Sequence, residues 1–155
     1  MLARSTEQFA KETGKTIALT KDCALQVKTA RHFELLSIFR NLLNNAVEAA
    51  PEDRTVHLQL CARQDGADAV FEVLDDCGGI APERLALIFT PGFSSKINRQ
   101  TGEINRRLGL CIVKDLTEQT LHGLVSVRSE NGQTAFTVRI PIDMLKGATH
   151  ADLSR

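Results

Sequence analysis

Apolar positions recur along this chain with two different periods. Between Phe33 and Ala50, the residues Leu35, Leu36, Phe39, Leu42, Leu43, Ala46 and Val47 return every three or four positions, and Pro51 lies just beyond. That spacing lays one apolar stripe along a helix and predicts a long helix over 33–50. A second long helix is predicted over 108–121. Short ones are predicted over 4–13, where Gly14 stops the run, and over 82–88, where Pro82 suits a first turn. Alternation with period two predicts strands at 15–20, 55–62, 69–74, 124–129 and 134–140. Asp65-Gly66 and Asn131-Gly132 read as hairpin turns, the first in a loop longer than the tightest type, and Pro141 ends the last strand. Residues 75–80 form a glycine-rich corner, and 90–107 are irregular, a length usual for lids and binding loops.

The order is α-β-α-β-β-α-loop-α-β-β. It predicts an α/β sandwich, with a mixed, mainly antiparallel sheet of about five strands and about three helices on one face. Too few β-α-β crossovers are available for a doubly wound parallel fold. No internal repeat or low-complexity segment interrupts the pattern. The 155 residues make one domain with short extensions, and the polar tail 147–155 is expected to be flexible.

Composition narrows the classes of function. Nineteen basic and nineteen acidic residues cancel, so no whole-domain field favours nucleic acid or an anionic membrane. Anion binding has to come from a local cluster. The cysteines at 23, 61, 77 and 111 form no Cys-x-x-Cys pair and no zinc spacing with histidine. They are read as reduced thiols of a cytoplasmic protein. No apolar run reaches the roughly 18–20 residues a bilayer requires, and residues 1–7 lack a signal-peptide core. The fragment itself is therefore expected outside the membrane, whatever anchors a longer parent.

Four stretches carry candidate chemistry. On the helix 33–50, Asn41, Asn45 and Glu48 share one face at i, i+4 and i+7. Such a face is either simply solvated or a ligand face. Asparagine is a mediocre helix former, yet its neutral carbonyl oxygen can ligate a hard cation. Next, Asp75-Asp76-Cys77-Gly78-Gly79-Ile80 follows an apolar strand. Glycines there allow backbone to approach a flat ligand, and an acid can accept from an exocyclic amine, although Asp and Gly also build plain turns. Third, Lys96, Arg99, Arg106 and Arg107 face only Glu103 as acid in the irregular stretch, either a phosphate clamp or a soluble exposed loop. Fourth, Gly109 stands where a helix begins, and free N–H groups at a helix start suit an anion. Neither a Walker A loop nor a Gly-x-Gly-x-x-Gly motif is present.

Taken in order, these stretches carry a resemblance. Asn-Leu-Leu-Asn-Asn-Ala-Val-Glu-Ala (41–49), Asp-Asp-Cys-Gly-Gly-Ile (75–80), Phe-Thr-Pro-Gly-Phe-Ser-Ser-Lys (89–96), Leu-Gly-Leu-Cys-Ile-Val-Lys (108–114) and the run from His122 to Pro141 resemble the five successive boxes of histidine-kinase catalytic domains. These belong to the wider superfamily of gyrase, MutL and chaperone ATPases, with its Bergerat-type ATP-binding fold. The resemblance spans roughly 15–145. It implies an ATP-binding catalytic domain over 14–146, preceded at 1–13 by the end of a dimerisation helix or its linker. It implies ATP and magnesium as cofactors. Asn45 would hold the metal and Asn41 would contact phosphate or metal, with Glu48 and Ala49 beside them. Asp75 would receive the adenine amino group. Cys77, Gly79 and Ile80 would shape the base pocket, and Thr134 would support it through water. Lys96, Arg106, Arg107 and Leu108 would close over the phosphates, and Gly109 and Leu110 would bring the second long helix against them. Phe89 and Phe93 would anchor the lid, or simply pack.

Departures from the family pattern matter as well. Cys77 replaces the first glycine of Asp-x-Gly-x-Gly, which would narrow the adenine pocket or require a left-handed cysteine. Asn105 and Arg107 replace the glycines that usually open the fourth box. Glu48 stands where many members have Lys or Arg, and Arg106 or Arg107 would supply the missing cation. Histidines 32, 57, 122 and 150 lie on no helix resembling a phospho-acceptor box, so the nucleophile is expected on another domain. The implied partners are that phospho-acceptor domain and a response regulator, with a homodimeric parent. Two other readings stand beside this one: an anti-sigma serine kinase of the same superfamily, and a degenerate domain used only for interaction.

Overall fold

A computed structural model of the chain describes residues 2–90 and 107–146. In chain order the elements are α1 (Leu2–Glu12), β1 (Thr16–Cys23), α2 (His32–Ala49), β2 (Thr55–Asp65), β3 (Asp68–Asp75), α3 (Pro82–Leu85), α4 (Arg107–Asp115), β4 (Leu124–Glu130), β5 (Gln133–Pro141) and α5 (Ile142–Leu145). The five strands form one sheet in the order β1-β2-β3-β5-β4. β1 and β2 run parallel, joined by the crossover through α2, and every other pair is antiparallel. The mixed, mainly antiparallel sheet expected from the element order is the sheet observed.

The α2 stripe lies against one face of this sheet. Ile38, Phe39, Leu42, Leu43, Ala46 and Val47 are buried, and they share a core with Val56, Leu58, Val73, Phe136 and Val138. Alternate residues of each strand supply that face, which is why β2, β3 and β5 read with period two. Phe39 meets Phe71 with ring centroids 5.0 Å apart, and Phe89 meets Phe136 edge-on at 6.2 Å. Phe89 therefore anchors the end of the 82–90 segment to β5, whereas Phe93 lies outside the described residues. Deleting a large side chain from such a core typically costs about 2–5 kcal/mol.

Local differences from the sequence pattern have local causes. β1 continues to Cys23, past the expected end at 20, because its backbone stays paired with β2 as far as Cys23 and Ala62. Main-chain pairing extends it where side-chain burial does not. The first hairpin is tight after all: Asp65 pairs with Asp68, leaving only Gly66 and Ala67 in the turn. α3 is a single turn. α5 was not expected, since four residues carry no readable period, but Ile142, Met144 and Leu145 of this turn are buried.

Past α4, the helix widens into a π-helical turn over Leu116–Thr120, in which Leu121 N–H donates to the Leu116 carbonyl at 2.9 Å. Thr117 is fully buried there, and its Oγ1 has no hydrogen-bond partner among the described residues. Thr6 in α1 and Thr13 just after it, by contrast, donate to carbonyls four residues back. A buried unsatisfied hydroxyl costs about 1–3 kcal/mol. Thr117→Val keeps the shape and removes that cost, so urea denaturation should show the variant more stable, by about 1 kcal/mol. A loss of stability would mean that the hydroxyl has a partner in solution.

Candidate functional site

The site is built from two elements of the helix layer and one corner of the sheet. On α2, Asn41, Asn45 and Glu48 are half-buried on one side of the helix. They line a cavity of about 270 Å³, whose opposite wall is Gly109 and Leu110 in the first turns of α4. The Asn41 side-chain amide nitrogen donates back to the Ser37 carbonyl at 2.7 Å. That bond holds the amide with its oxygen toward α4: a Cβ added at Gly109 would lie 3.0 Å from Asn41 Oδ1. A side chain at 109 would press on the Asn41 amide, so glycine allows this close approach. The cavity thus combines asparagine carbonyl oxygens with the start of α4, where main-chain N–H groups lack helical partners and the dipole is positive. Oxygen donors for a hard cation and N–H donors for an anion stand side by side.

The second half lies at the end of β3. Asp75 and Thr134 are paired in register on β3 and β5, and both are buried. Burial pushes the Asp75 carboxyl above its ordinary range, and the Cys77 main-chain N–H, 3.1 Å from Oδ1, only partly offsets this. Thr134 Oγ1 lies 3.2 Å from Ser129 Oγ, and Ser129 Oγ in turn accepts from Ile80 N–H at 2.7 Å. Gly79 has a left-handed φ of 81°, and a Cβ there would meet Ser129 Oγ at 3.0 Å. The Ser129 hydroxyl holds Ile80 against β4, and Gly78 N–H, donating to the Gly132 carbonyl at 3.1 Å, holds the other end of the corner.

The adjacent acid behaves differently. Asp76 accepts from the His57 main-chain N–H at 2.7 Å, meets the His57 ring at 3.0 Å and pairs with Arg54 at 3.7 Å. Slight burial pushes its carboxyl up, but the His57 bonds and the Arg54 charge outweigh that, and the net displacement is downward. Two neighbouring aspartates thus differ: Asp76 is committed to an ion-pair cluster, whereas Asp75 holds a buried carboxylate whose protein donors come from Cys77.

Of the two consequences expected for Cys77, a narrower pocket or a left-handed backbone, the second is not found. The positive φ angles belong to Gly78 and Gly79. The half-buried thiol donates to the Ala46 carbonyl at 3.2 Å. Ala50 N–H bonds to Val47 rather than Ala46, so the thiol meets a carbonyl in the last turn of α2. Burial, followed by the Asp75 charge, pushes that thiol up to about 12. It is an unreactive packing group that ties the Asp75 corner to the residue following Asn45.

Asn41, Asn45, Glu48, Gly109 and Leu110 are thus brought together in one cavity. Asp75 and Thr134 instead line a separate open groove of about 580 Å³ with His57, Asp76 and Arg128. The Cys77 thiol, on the carbonyl of Ala46, ties the corner that follows Asp75 to the helix that carries Asn45. Ala49 is exposed and lines neither space. Arg107 and Leu108 belong to the first turn of α4, while Lys96 and Arg106 lie outside the described residues. Three lining or supporting residues escaped the sequence reading: Phe9, Asn44 and Ser129. Ser129 was visible as the serine of the last box. Phe9 carried no signal, because it sits far from every motif. Of the histidines, His32 and His122 are exposed, His57 pairs with Asp76, and His150 lies outside the described residues. No described helix is long and apolar enough to cross a membrane.

Known proteins resemble this chain in sequence and in fold. The sensor histidine kinase GlnK of Bacillus subtilis is 30% identical over 144 residues, which is 92% of this chain and 34% of that protein. The sensor histidine kinase ZraS of Salmonella typhimurium is 36% identical over 110 residues, 70% of this chain and 22% of that protein. The chain therefore spans about a third or less of the curated relatives it matches. Among solved structures, the catalytic domain of histidine kinase ThkA superposes with a TM-score of 0.69 at 22% identity, covering 90% of both chains. The mycobacterial sensor histidine kinase MprB gives 0.68 at 23% identity, covering 90% of this chain and 92% of that one. The family model described as histidine kinase-, DNA gyrase B- and HSP90-like ATPase matches residues 31–144, from the start of α2 to α5. By that match and this fold, the chain belongs to the histidine kinase, DNA gyrase B and HSP90-like ATPase family.

Proposed function

We propose that this chain is the ATP-binding catalytic domain of a two-component sensor histidine kinase. It supplies Mg-ATP for phosphorylation of a histidine on a separate dimerisation domain of the same parent, from which a response regulator takes the phosphoryl group. The observation that carries the proposal is the close approach of Gly109 to Asn41, which sets an oxygen-donor face against a helix start. Those residues fit a magnesium-bound polyphosphate. Magnesium shares one or two protein oxygens with phosphates and keeps its waters. Asn45 would hold it and Asn41 would contact phosphate or metal, with Glu48 beside them. Main-chain N–H groups at Gly109 and Leu110 would receive phosphate oxygens. Asp75, with Gly79, Ile80 and Thr134 around it, would accept the adenine amino group. Lys96, Arg106 and Arg107 would add positive charge over the phosphates.

Phosphoryl transfer depends on positioning and charge neutralisation more than on covalent chemistry. This domain would contribute both and no nucleophile. Titration calorimetry tests the metal role. Asn45→Ala should raise the Mg-ATP Kd at least about tenfold, the effect of losing roughly 1.4 kcal/mol, and should abolish the difference between ATP with and without magnesium. An unchanged magnesium dependence would remove Asn45 from the metal site. Mixing the chain with a cognate dimerisation domain should yield acid-labile phosphohistidine on that domain. Phosphoserine would instead indicate a serine kinase.

A further inference from the structure

α1 lies outside the matched span 31–144, yet it supplies a residue to the cavity on the asparagine face. Phe9 lines that cavity together with Asn44, Asn45 and Glu48. We propose that α1 is a structural wall of the nucleotide site, with Phe9 as a positioning residue for the magnesium-phosphate end of the ligand. This rests on the ATP-binding reading above and extends it to a segment the family match does not include.

Three observations make α1 a fixed wall rather than a loose leader. First, Leu2, Thr6, Phe9, Ala10 and Thr13 fall on one helical face; Thr6 and Ala10 are buried, and Leu2 and Phe9 are partly buried against the core. Second, the C-terminus of α1 is closed by two backbone bonds. Gly14 N–H donates to Lys11 at 3.2 Å and Lys15 N–H to Ala10 at 2.8 Å, with Gly14 at a φ of 74°. That pairing is the Schellman arrangement, which fixes the exit direction of the chain. Third, the Lys15 ammonium donates to the Ala50 carbonyl just beyond α2. α1 is thus held to the helix of Asn45 along its length and at its exit.

An apolar ring beside asparagine oxygens and a helix start excludes water from one side of the space. Charge interactions inside it are strengthened accordingly. The consequence is conformational. Whatever lifts or rotates α1 withdraws Phe9 and lets solvent reach the phosphate end, so the position of this helix sets nucleotide affinity.

The test is calorimetry on the full chain with Mg-ATP and with adenosine. Phe9→Ala should raise the Mg-ATP Kd about fivefold to tenfold, the effect usual for truncating a well-packed contact residue. The adenosine Kd should stay within about twofold, since the ring borders the asparagine face and not Asp75. Phe9→Leu, which keeps an apolar wall, should restore Mg-ATP binding. Ala10→Glu, which undocks α1 without altering a lining residue, should reproduce the Phe9→Ala loss, and the double variant should lose no more than either alone. A Phe9→Ala variant that binds Mg-ATP as wild type does, with only its melting temperature lowered, would overturn the proposal and leave ATP binding intact. Wild-type chain that fails to bind Mg-ATP would overturn the nucleotide reading and this inference with it.

Discussion

Asp75→Asn is expected to raise the Mg-ATP Kd roughly tenfold to a hundredfold while raising the melting temperature at pH 7. The binding loss follows from the strength of a hydrogen bond to a charged acceptor, about 1.5–3 kcal/mol. The stability gain follows from the direction of the Asp75 shift. Burial lifts the folded-state carboxyl above its ordinary value of 3.8, so the folded protein holds the proton more tightly than the unfolded chain does. Stability therefore falls as pH rises from about that value through the raised folded value, and the whole penalty is present above it. Asparagine cannot ionise, and its side-chain oxygen can still accept from Cys77 N–H. The variant should lose that part of the pH dependence. Thermal melts across pH, with titration at pH 7, decide both halves. Unchanged ATP affinity would remove Asp75 from base recognition, and a lower melting temperature at pH 7 would mean its carboxylate stabilises the fold.

Gly123→Ala is expected to destabilise the fold by at least about 3 kcal/mol, the upper range for overpacking a closed site. A Cβ at 123 would lie 2.1 Å from the Arg139 carbonyl oxygen, 3.1 Å from its carbon and 3.2 Å from Ile140 Cα. All three are main-chain atoms of β5, so no side chain can swing aside. Gly123 N–H also donates to Thr117 at 2.7 Å, which pins the residue between the π-helical turn and β5. The substitution must push the start of β4 from β5. Urea denaturation measures the effect; a loss under about 1 kcal/mol would show that the two segments separate easily. In sequence, this glycine is simply the residue after His122, and its packing role becomes visible only when the strands are paired.

The same contrast runs through the site. The α2 stripe was legible because a helix repeats every 3.6 residues, and one buried face forces apolar residues into that rhythm. The strand alternation and the Asn131-Gly132 turn were legible for the same reason: each is set by neighbours in the chain. The asparagine face, Gly109 and the Asp75 corner were legible as motifs. Which of those motifs meet was not, because the contacts joining them run between distant segments. Gly109 meets Asn41 across 68 positions, and Cys77 reaches Ala46 across 31.

By itself, the sequence determined the elements, the sheet class and the set of residues resembling an ATP site. These follow from local periodicity and from short runs of fixed spacing. Tertiary structure alone decided which of two adjacent aspartates keeps a buried carboxylate, since that depends on His57 of β2 and Arg54 just before it drawing Asp76 away. It decided that Cys77 turns its thiol to α2 with no left-handed backbone. It also brought Phe9, a residue with no motif around it, to the wall of the asparagine cavity. Periodicity records which face of a helix is buried, but not which distant segment covers it; that is settled only when the chain packs.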